Sequence, residues 1–166
     1  MTLTTRRATS EDAEAMASLI NEIIAIGGTT AIETPFTRTS MDHEFVSGPH
    51  VISSIVAEEN GELLGFQILL GSTEEESMPD GWGGIGTYAR VGQTRGGVGS
   101  ALFEATKQAA RAAGLHTIDA TIRADNSGGL AFYKRMGFAD YDRRIGVPLK
   151  GGTRVDRVRK RFDLTR

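Results

Sequence analysis

The stretch Val91-Gly92-Gln93-Thr94-Arg95-Gly96-Gly97-Val98-Gly99-Ser100-Ala101-Leu102-Phe103 runs a glycine-rich turn straight into an amphipathic pattern. Glycine lets backbone N–H groups approach a ligand closely. The first turn of a helix leaves its N–H groups without intrahelical acceptors, at the positive end of the helix dipole. Such a turn holds a phosphate or pyrophosphate, or it only closes a tight strand-to-helix connection, and alone it supports both readings. A P-loop needs Gly-Lys-Ser/Thr where the chain has Gly97-Val98-Gly99-Ser100. A dinucleotide fingerprint needs a third small residue where Leu102 stands. Gly84-Ile85-Gly86-Thr87-Tyr88-Ala89 has that fingerprint's letters, but it sits in a strand pattern with no helix after it.

Downstream of the turn, Val98, Ala101, Leu102, Ala105, Ala109 and Ala112 predict one apolar helix face, with Gly114 as its stop. Residues 116–124 alternate as a strand. Asn126-Ser127 opens a further helix with Leu130, Tyr133 and Met136 on one stripe and Gly137 past its end. Residues 138–147 and 154–164 read as two more strands. Upstream, residues 3–8 read as a strand, and Ser10 is the expected cap of a helix carrying Ala13, Met16, Ala17, Ile20 and Ile23/Ile24, closed by Gly27-Gly28. Thr39 or Ser40 is the expected cap of a short helix to about Ser47. Residues 51–57 and 63–70 are strands joined through Asn60-Gly61, the signature of a type I′ hairpin. Residues 82–91 form a Gly-rich strand, in which Gly83, Gly84 and Gly86 predict a bulge or a close backbone approach.

The order β-α-α-β-β-β-α-β-α-β-β predicts an α/β fold. Its mixed, mostly antiparallel sheet carries a β-α-β crossover and helices on both faces. With no internal repeat and no linker, one domain is expected over residues 1–166. The turn then lies at the carboxyl end of a strand, where open α/β sheets bind ligands. The 166 residues carry 39% hydrophobic and 24% charged side chains, ordinary for a soluble globular chain, and a net charge of −2 that calls for no nucleic acid and no anionic membrane. With no Cys there is no disulfide, no thiolate metal site and no Cys nucleophile. Arg6-Arg7 leads into a polar segment rather than an apolar one, so a cytoplasmic protein without a signal peptide is expected.

The second motif is Asn126-Ser127-Gly128-Gly129-Leu130-Ala131-Phe132-Tyr133-Lys134-Arg135-Met136-Gly137-Phe138. Together with Gly97-Val98-Gly99-Ser100-Ala101-Leu102, one β-α-β unit earlier, it resembles the GNAT N-acetyltransferase superfamily. That family has a pyrophosphate loop of the type Arg/Gln-x-x-Gly-x-Gly/Ala, followed by a strand, an Asn and a helix reading A-x-x-F-Y-x-x-x-G-F. The likeness covers the whole element order and is most specific over residues 90–140. One departure is Thr94, which stands where the family has Arg or Gln, flanked by Gln93 and Arg95.

The resemblance implies a GNAT-type fold, acetyl-CoA as co-substrate, no metal, and transfer of an acetyl group to a primary amine by direct attack on the thioester. The alternative is a non-catalytic acyl-CoA-binding or regulatory domain on the same fold. It further implies that Val91, Gln93, Arg95, Gly96, Gly97, Val98, Gly99, Ser100 and Asn126 hold CoA. A bulge at residues 83–86 would aim an N–H at the thioester oxygen. Tyr133 would protonate the leaving thiolate, and Glu33, Phe36 and Tyr88 would face the acceptor amine. Strand 82–91 has no carboxylate where the family often supplies a Glu base, which leaves water, Glu33, His43 or Glu44. The acidic run Glu74 to Glu76 would attract a cationic amine. The basic run Arg154, Arg157, Arg159, Lys160 and Arg161 reads as a solvated strand face, or as a contact for the CoA 3′-phosphate or a second subunit; a homodimer is the expected assembly.

Overall fold

The computed structural model describes residues 2–165. Seven strands form one sheet in the order β1-β2-β3-β4-β5-β7-β6. They are β1 (Thr4–Arg7), β2 (Val51–Glu59), β3 (Glu62–Leu70), β4 (Trp82–Ala89), β5 (Thr117–Arg123), β6 (Ala139–Pro148) and β7 (Arg154–Asp163). The helices are α1 (Ala13–Ile26), α2 (Arg38–Met41), α3 (Val98–Ala112) and α4 (Ser127–Arg135). The predicted element order stands. Every neighbouring pair of strands is antiparallel except β4 and β5, which the α3 crossover joins in parallel.

Among the described residues three buried apolar clusters form, one of them around Leu69, Phe103, Ile118, Tyr133 and Phe138, and side-chain alternation along β2 and β3 feeds the other two. Val56, Phe66 and Ile68 face Met16 and Ile20 of α1, together with Met41 and Phe45. Ile55 and Ala57 point the other way, onto Val98 and Leu102 of α3. β2 and β3 are covered on both faces, which is why each reads as a near-continuous apolar run. Asn60 and Gly61 both have positive φ (55° and 76°), as a type I′ turn requires.

Four local expectations change. Thr9, not Ser10, caps the first helical segment, and Thr9 N donates to Asp12 Oδ2 at 2.8 Å. Thr37, not Thr39 or Ser40, caps α2: Ser40 N donates to Thr37 Oγ1 (3.0 Å) and Thr37 N to Ser40 Oγ (2.9 Å). The register is set upstream, where the Asn21 amide brackets Phe36 N (2.8 Å) and Phe36 O (2.9 Å). The buried stripe of α3 is Val98, Leu102, Phe103, Thr106 and Ala110 rather than one ending on Ala109 and Ala112. Phe103 turns it, packing against Phe138 and Phe162 with ring centroids 5.4 and 5.2 Å away.

The fourth change concerns β4. Its ladder with β3 runs from Gly65↔Ala89 to Leu70↔Gly84 and its pairing with β5 runs on through Gly83↔Ile118, neither with a register shift, so there is no bulge at Gly83, Gly84 or Gly86. These glycines relieve crowding instead. A Cβ on Gly83 would lie 3.0 Å from Leu69 and Leu115, one on Gly84 2.8 Å from Met78, and one on Gly86 3.0 Å from the Tyr88 hydroxyl. β4 and β5 pair only from Trp82↔Thr117 to Gly84↔Asp119. Beyond that point β4 stays with β3 and β5 with β7, and a wedge opens between them.

Candidate active site

The wedge leads into a cleft of about 590 Å³. Its walls are Ile85 to Ala89 of β4, Thr121 to Arg123 of β5, the start of α3, one side of α4, and residues 29–32 of the α1–α2 loop. Among the described residues no carboxylate lines it, and its cations are Arg95 and Arg123.

The start of α3 supplies the donors. Gly97 is its N-cap in a left-handed conformation (φ 83°), which a side chain would strain. The first helical bond is Ala101 N to Gly97 O (2.9 Å), so the N–H groups of Val98, Gly99 and Ser100 have no carbonyl acceptor within the helix. The loop before it is tied to itself. Arg95 N donates to Gln93 Oε1 (2.8 Å), Arg95 Nη1 to Gly96 O (2.8 Å) and Arg95 Nε to Glu59 Oε2 (3.0 Å) on the β2–β3 hairpin. Gln93 and Arg95 therefore help shape the loop, and the donors left over are the backbone N–H groups together with Gln93 Nε2 and Arg95 Nη2. A Cβ on Gly99 would collide with the Phe132 ring of α4. The two sequence motifs thus meet at this contact: Gly99 lets the α3 start sit flat against Phe132.

Tyr133 is buried, and its hydroxyl lies 2.8 Å from Thr87 Oγ1 on β4. Burial pushes the phenol well above its usual range, so it stays protonated at every ordinary pH. Asn126 caps α4 by accepting from Gly129 N (3.0 Å) and donates from Nδ2 to Thr29 O (3.1 Å). Arg123 pairs with Asp125 (2.9 and 2.7 Å) and donates to Thr30 O (3.2 Å). The β5–α4 turn thereby holds the α1–α2 loop across the cleft. Tyr88 reaches the same loop through Thr30, and burial pushes its phenol up to about 12.

Val91, Gln93, Arg95, Gly97, Val98, Gly99, Asn126, Tyr133 and Tyr88 all come together around the cleft, while Gly96 and Ser100, both exposed, are neighbours in sequence of its lining residues and do not line it themselves. Glu33 and Phe36 do not line it. Glu33 accepts from Lys150 N (2.8 Å) and anchors the loop to the β6–β7 turn, while Phe36 packs on Phe45. His43 and Glu44 lie in a short π-helical segment, Asp42–Val46, that follows α2, also outside the cleft lining. Of the acidic run, Glu76 is tied to Arg144 (2.5 and 3.0 Å) and is not a free attractor, while Glu74 and Glu75 are exposed and do not line the cleft. The basic strand is not simply solvated either: Lys160 is buried against Asp140, and Arg159 bonds the buried Asp119 (3.3 Å). The sequence reading passed over Thr87, Gln67, Phe132 and Arg123. Gln67 had a signal, as the polar residue inside the apolar β3 run.

The Acetyltransferase (GNAT) family model matches residues 19–138. The chain belongs to the GNAT acetyltransferase family. Solved structures of similar fold include an N-acetyltransferase from Staphylococcus aureus Mu50 (22% identity, TM-score 0.83, covering 99% of each chain). A ribosomal-protein-alanine N-acetyltransferase from Brucella melitensis gives 20% identity and a TM-score of 0.81 over 96% of this chain and 99% of that one. A phosphinothricin acetyltransferase from Sinorhizobium meliloti, solved with acetyl-CoA, gives 19% and 0.79 over 98% and 89%. At these identities the likeness is one of fold. No curated protein sequence matches the chain. Among the described residues of this GNAT chain, no helix is long and apolar enough to cross a membrane.

Proposed function

We propose that the protein transfers the acetyl group of acetyl-CoA to the primary amine of a small molecule or peptide. The observation that carries this reading is the wedge between β4 and β5, with unclaimed N–H donors at one end and a protonated, buried phenol on its wall. The pyrophosphate would sit on the N–H groups of residues 96–100, where the helix dipole favours an anion. The pantetheine arm would run along the free edge of β4 as an added strand. The acceptor nitrogen attacks the thioester carbonyl, the C–S bond breaks, and Tyr133 protonates the departing sulfur. With no carboxylate in the cleft lining, the proton of the acceptor ammonium leaves to water.

The test is thiol release from acetyl-CoA across a panel of amines, amino acids, aminoglycosides and peptides. The fold relatives add phosphinothricin and a peptide with N-terminal alanine to it. Turnover on at least one acceptor, slowed about a hundredfold or more by Tyr133→Phe with acetyl-CoA binding kept, is the expected result. A second reading is a non-catalytic acyl-CoA-binding or regulatory domain, favoured by the carboxylate-free cleft. Tight CoA binding with no turnover on any acceptor would select it.

A further inference from the structure

Three side chains from three elements form a line of hydrogen bonds that ends in the cleft. Gln67 of β3 is fully buried, and its Nε2 lies 3.0 Å from Thr87 Oγ1 of β4. Thr87 Oγ1 lies 2.8 Å from Tyr133 Oη of α4. An amide nitrogen only donates, so Thr87 Oγ1 accepts from Gln67. Thr87 Oγ1 keeps one hydrogen and one further lone pair, so its contact with Tyr133 Oη can run in either direction, and donation from Thr87 is the one that extends the line from Gln67. With Thr87 as donor the phenol oxygen is bonded from behind, and its own hydrogen is left for the cleft that Tyr133 lines. Gln67 stands in an otherwise apolar stretch, and its Oε1 meets no partner among the described residues. A buried amide half satisfied in this way costs stability that an apolar side chain would not, which argues that the position is kept for its donor.

We propose that Gln67 and Thr87 are positioning residues that aim the Tyr133 proton at the sulfur leaving acetyl-CoA. The proposal rests on the reading of Tyr133 as the general acid. As the C–N bond forms and the C–S bond breaks, the C–S electron pair goes to sulfur, which takes the Tyr133 proton. The phenolate left behind accepts from Thr87, itself polarised by Gln67, until water reprotonates it. The proton released by the acceptor nitrogen leaves to water, so the proton count balances.

Thr87→Val removes the hydroxyl at nearly equal size, and Thr87→Ser keeps it. Turnover is read with hydroxylamine as acceptor, a weakly basic amine that is largely uncharged at neutral pH. A second readout needs no acceptor: the ratio of CoA to desulfo-CoA affinity, measured by calorimetry, which reports the bond from Tyr133 to sulfur. Thr87→Val is expected to lower kcat about tenfold with the KM for acetyl-CoA unchanged, and to bring CoA affinity down to that of desulfo-CoA. Thr87→Ser should restore both, and Gln67→Leu should give a smaller loss of the same kind. In a Tyr133→Phe background Thr87→Val should cost nothing more. Melting curves check that each variant folds, and Thr87→Ala replaces Thr87→Val if the branched side chain is not tolerated. A Thr87 variant with wild-type kcat and affinity ratio, or one that loses the same factor without Tyr133, overturns the proposal. Tyr133→Phe with wild-type turnover and ratio overturns instead the acid reading beneath it.

Discussion

Gly99 carries two demands at once: it belongs to the first turn of α3, and its missing side chain admits the Phe132 ring. Gly99→Ala gains about 1 kcal/mol of helix propensity. It also displaces the ring at a cost of about 1–3 kcal/mol. The expected net change in stability is a small loss. CoA affinity should fall about tenfold, because the displaced ring crowds the N–H groups of the turn. Adding Phe132→Leu should recover most of that affinity; calorimetry on the single and double variants decides, and a single variant binding like wild type would refute the contact. Tyr133 sets a second expectation. Its pKa is raised by burial, so the acid form persists throughout the assay range and is lost only above it. In the proposed reaction an alkylamine acceptor, with pKa about 10.4, loses its proton to water, since no carboxylate lines the cleft among the described residues. The pH profile of kcat/KM should therefore rise steadily towards pH about 10 with no alkaline fall. A plateau beginning near neutrality would reveal a base outside the cleft lining.

Between elements, the loops are held by side chains whose partners lie far along the chain. The α1–α2 loop is pinned at Thr29 by Asn126, at Thr30 by Arg123 and at Glu33 by Lys150. The β3–β4 connection is pinned by Glu76 to Arg144 of β6, with Arg159 of β7 close by. The Arg144 guanidinium holds the Glu76 carboxyl below the usual glutamate range. A depressed folded pKa means that this contact stabilises above the ordinary glutamate pKa and is lost as pH falls through the folded one. Because the pair is a third exposed, its worth is about 1 kcal/mol or less. Glu76→Gln should lower Tm at neutral pH by no more than about 2–4 °C. It should make no difference in acid, where Glu76 is already protonated. An equal loss at both pH values would show that packing, not charge, ties the loop.

At the scale of the molecule, the sheet is two halves joined by the short β4–β5 pairing, with the cleft where the halves part. A ligand spanning both halves links its binding to global stability. Desulfo-CoA at a hundred times its Kd adds about 2.7 kcal/mol, or roughly 5–10 °C of Tm for a chain of this size. The same ligand should slow amide exchange on both sides of the wedge, in residues 85–89 and 120–123. Protection on one side only would mean that the ligand does not bridge the halves, and no Tm shift at millimolar ligand would count against CoA binding altogether.

Element order was legible because periodicity and turn chemistry are local: Asn60-Gly61 makes its hairpin, and Gly97 ends its loop with positive φ. Local pattern failed where long-range partners intervene. Thr37 took the cap of α2 because Asn21 fixes Phe36, and Phe103 turned the α3 stripe towards Phe138 and Phe162. Arg159 and Lys160 looked solvated because nothing in their own strand shows that Asp119 and Asp140 lie across from it. The sequence by itself determined that a glycine turn would present free N–H groups at the head of α3, since backbone geometry and helix ends follow from nearby residues. Only the tertiary structure decided that β4 would carry no bulge, and that Gln67, Thr87 and Tyr133 would meet in one line. Contact between residues 20 and 46 positions apart depends on strand register and helix placement, and those are set by the packing of the whole sheet.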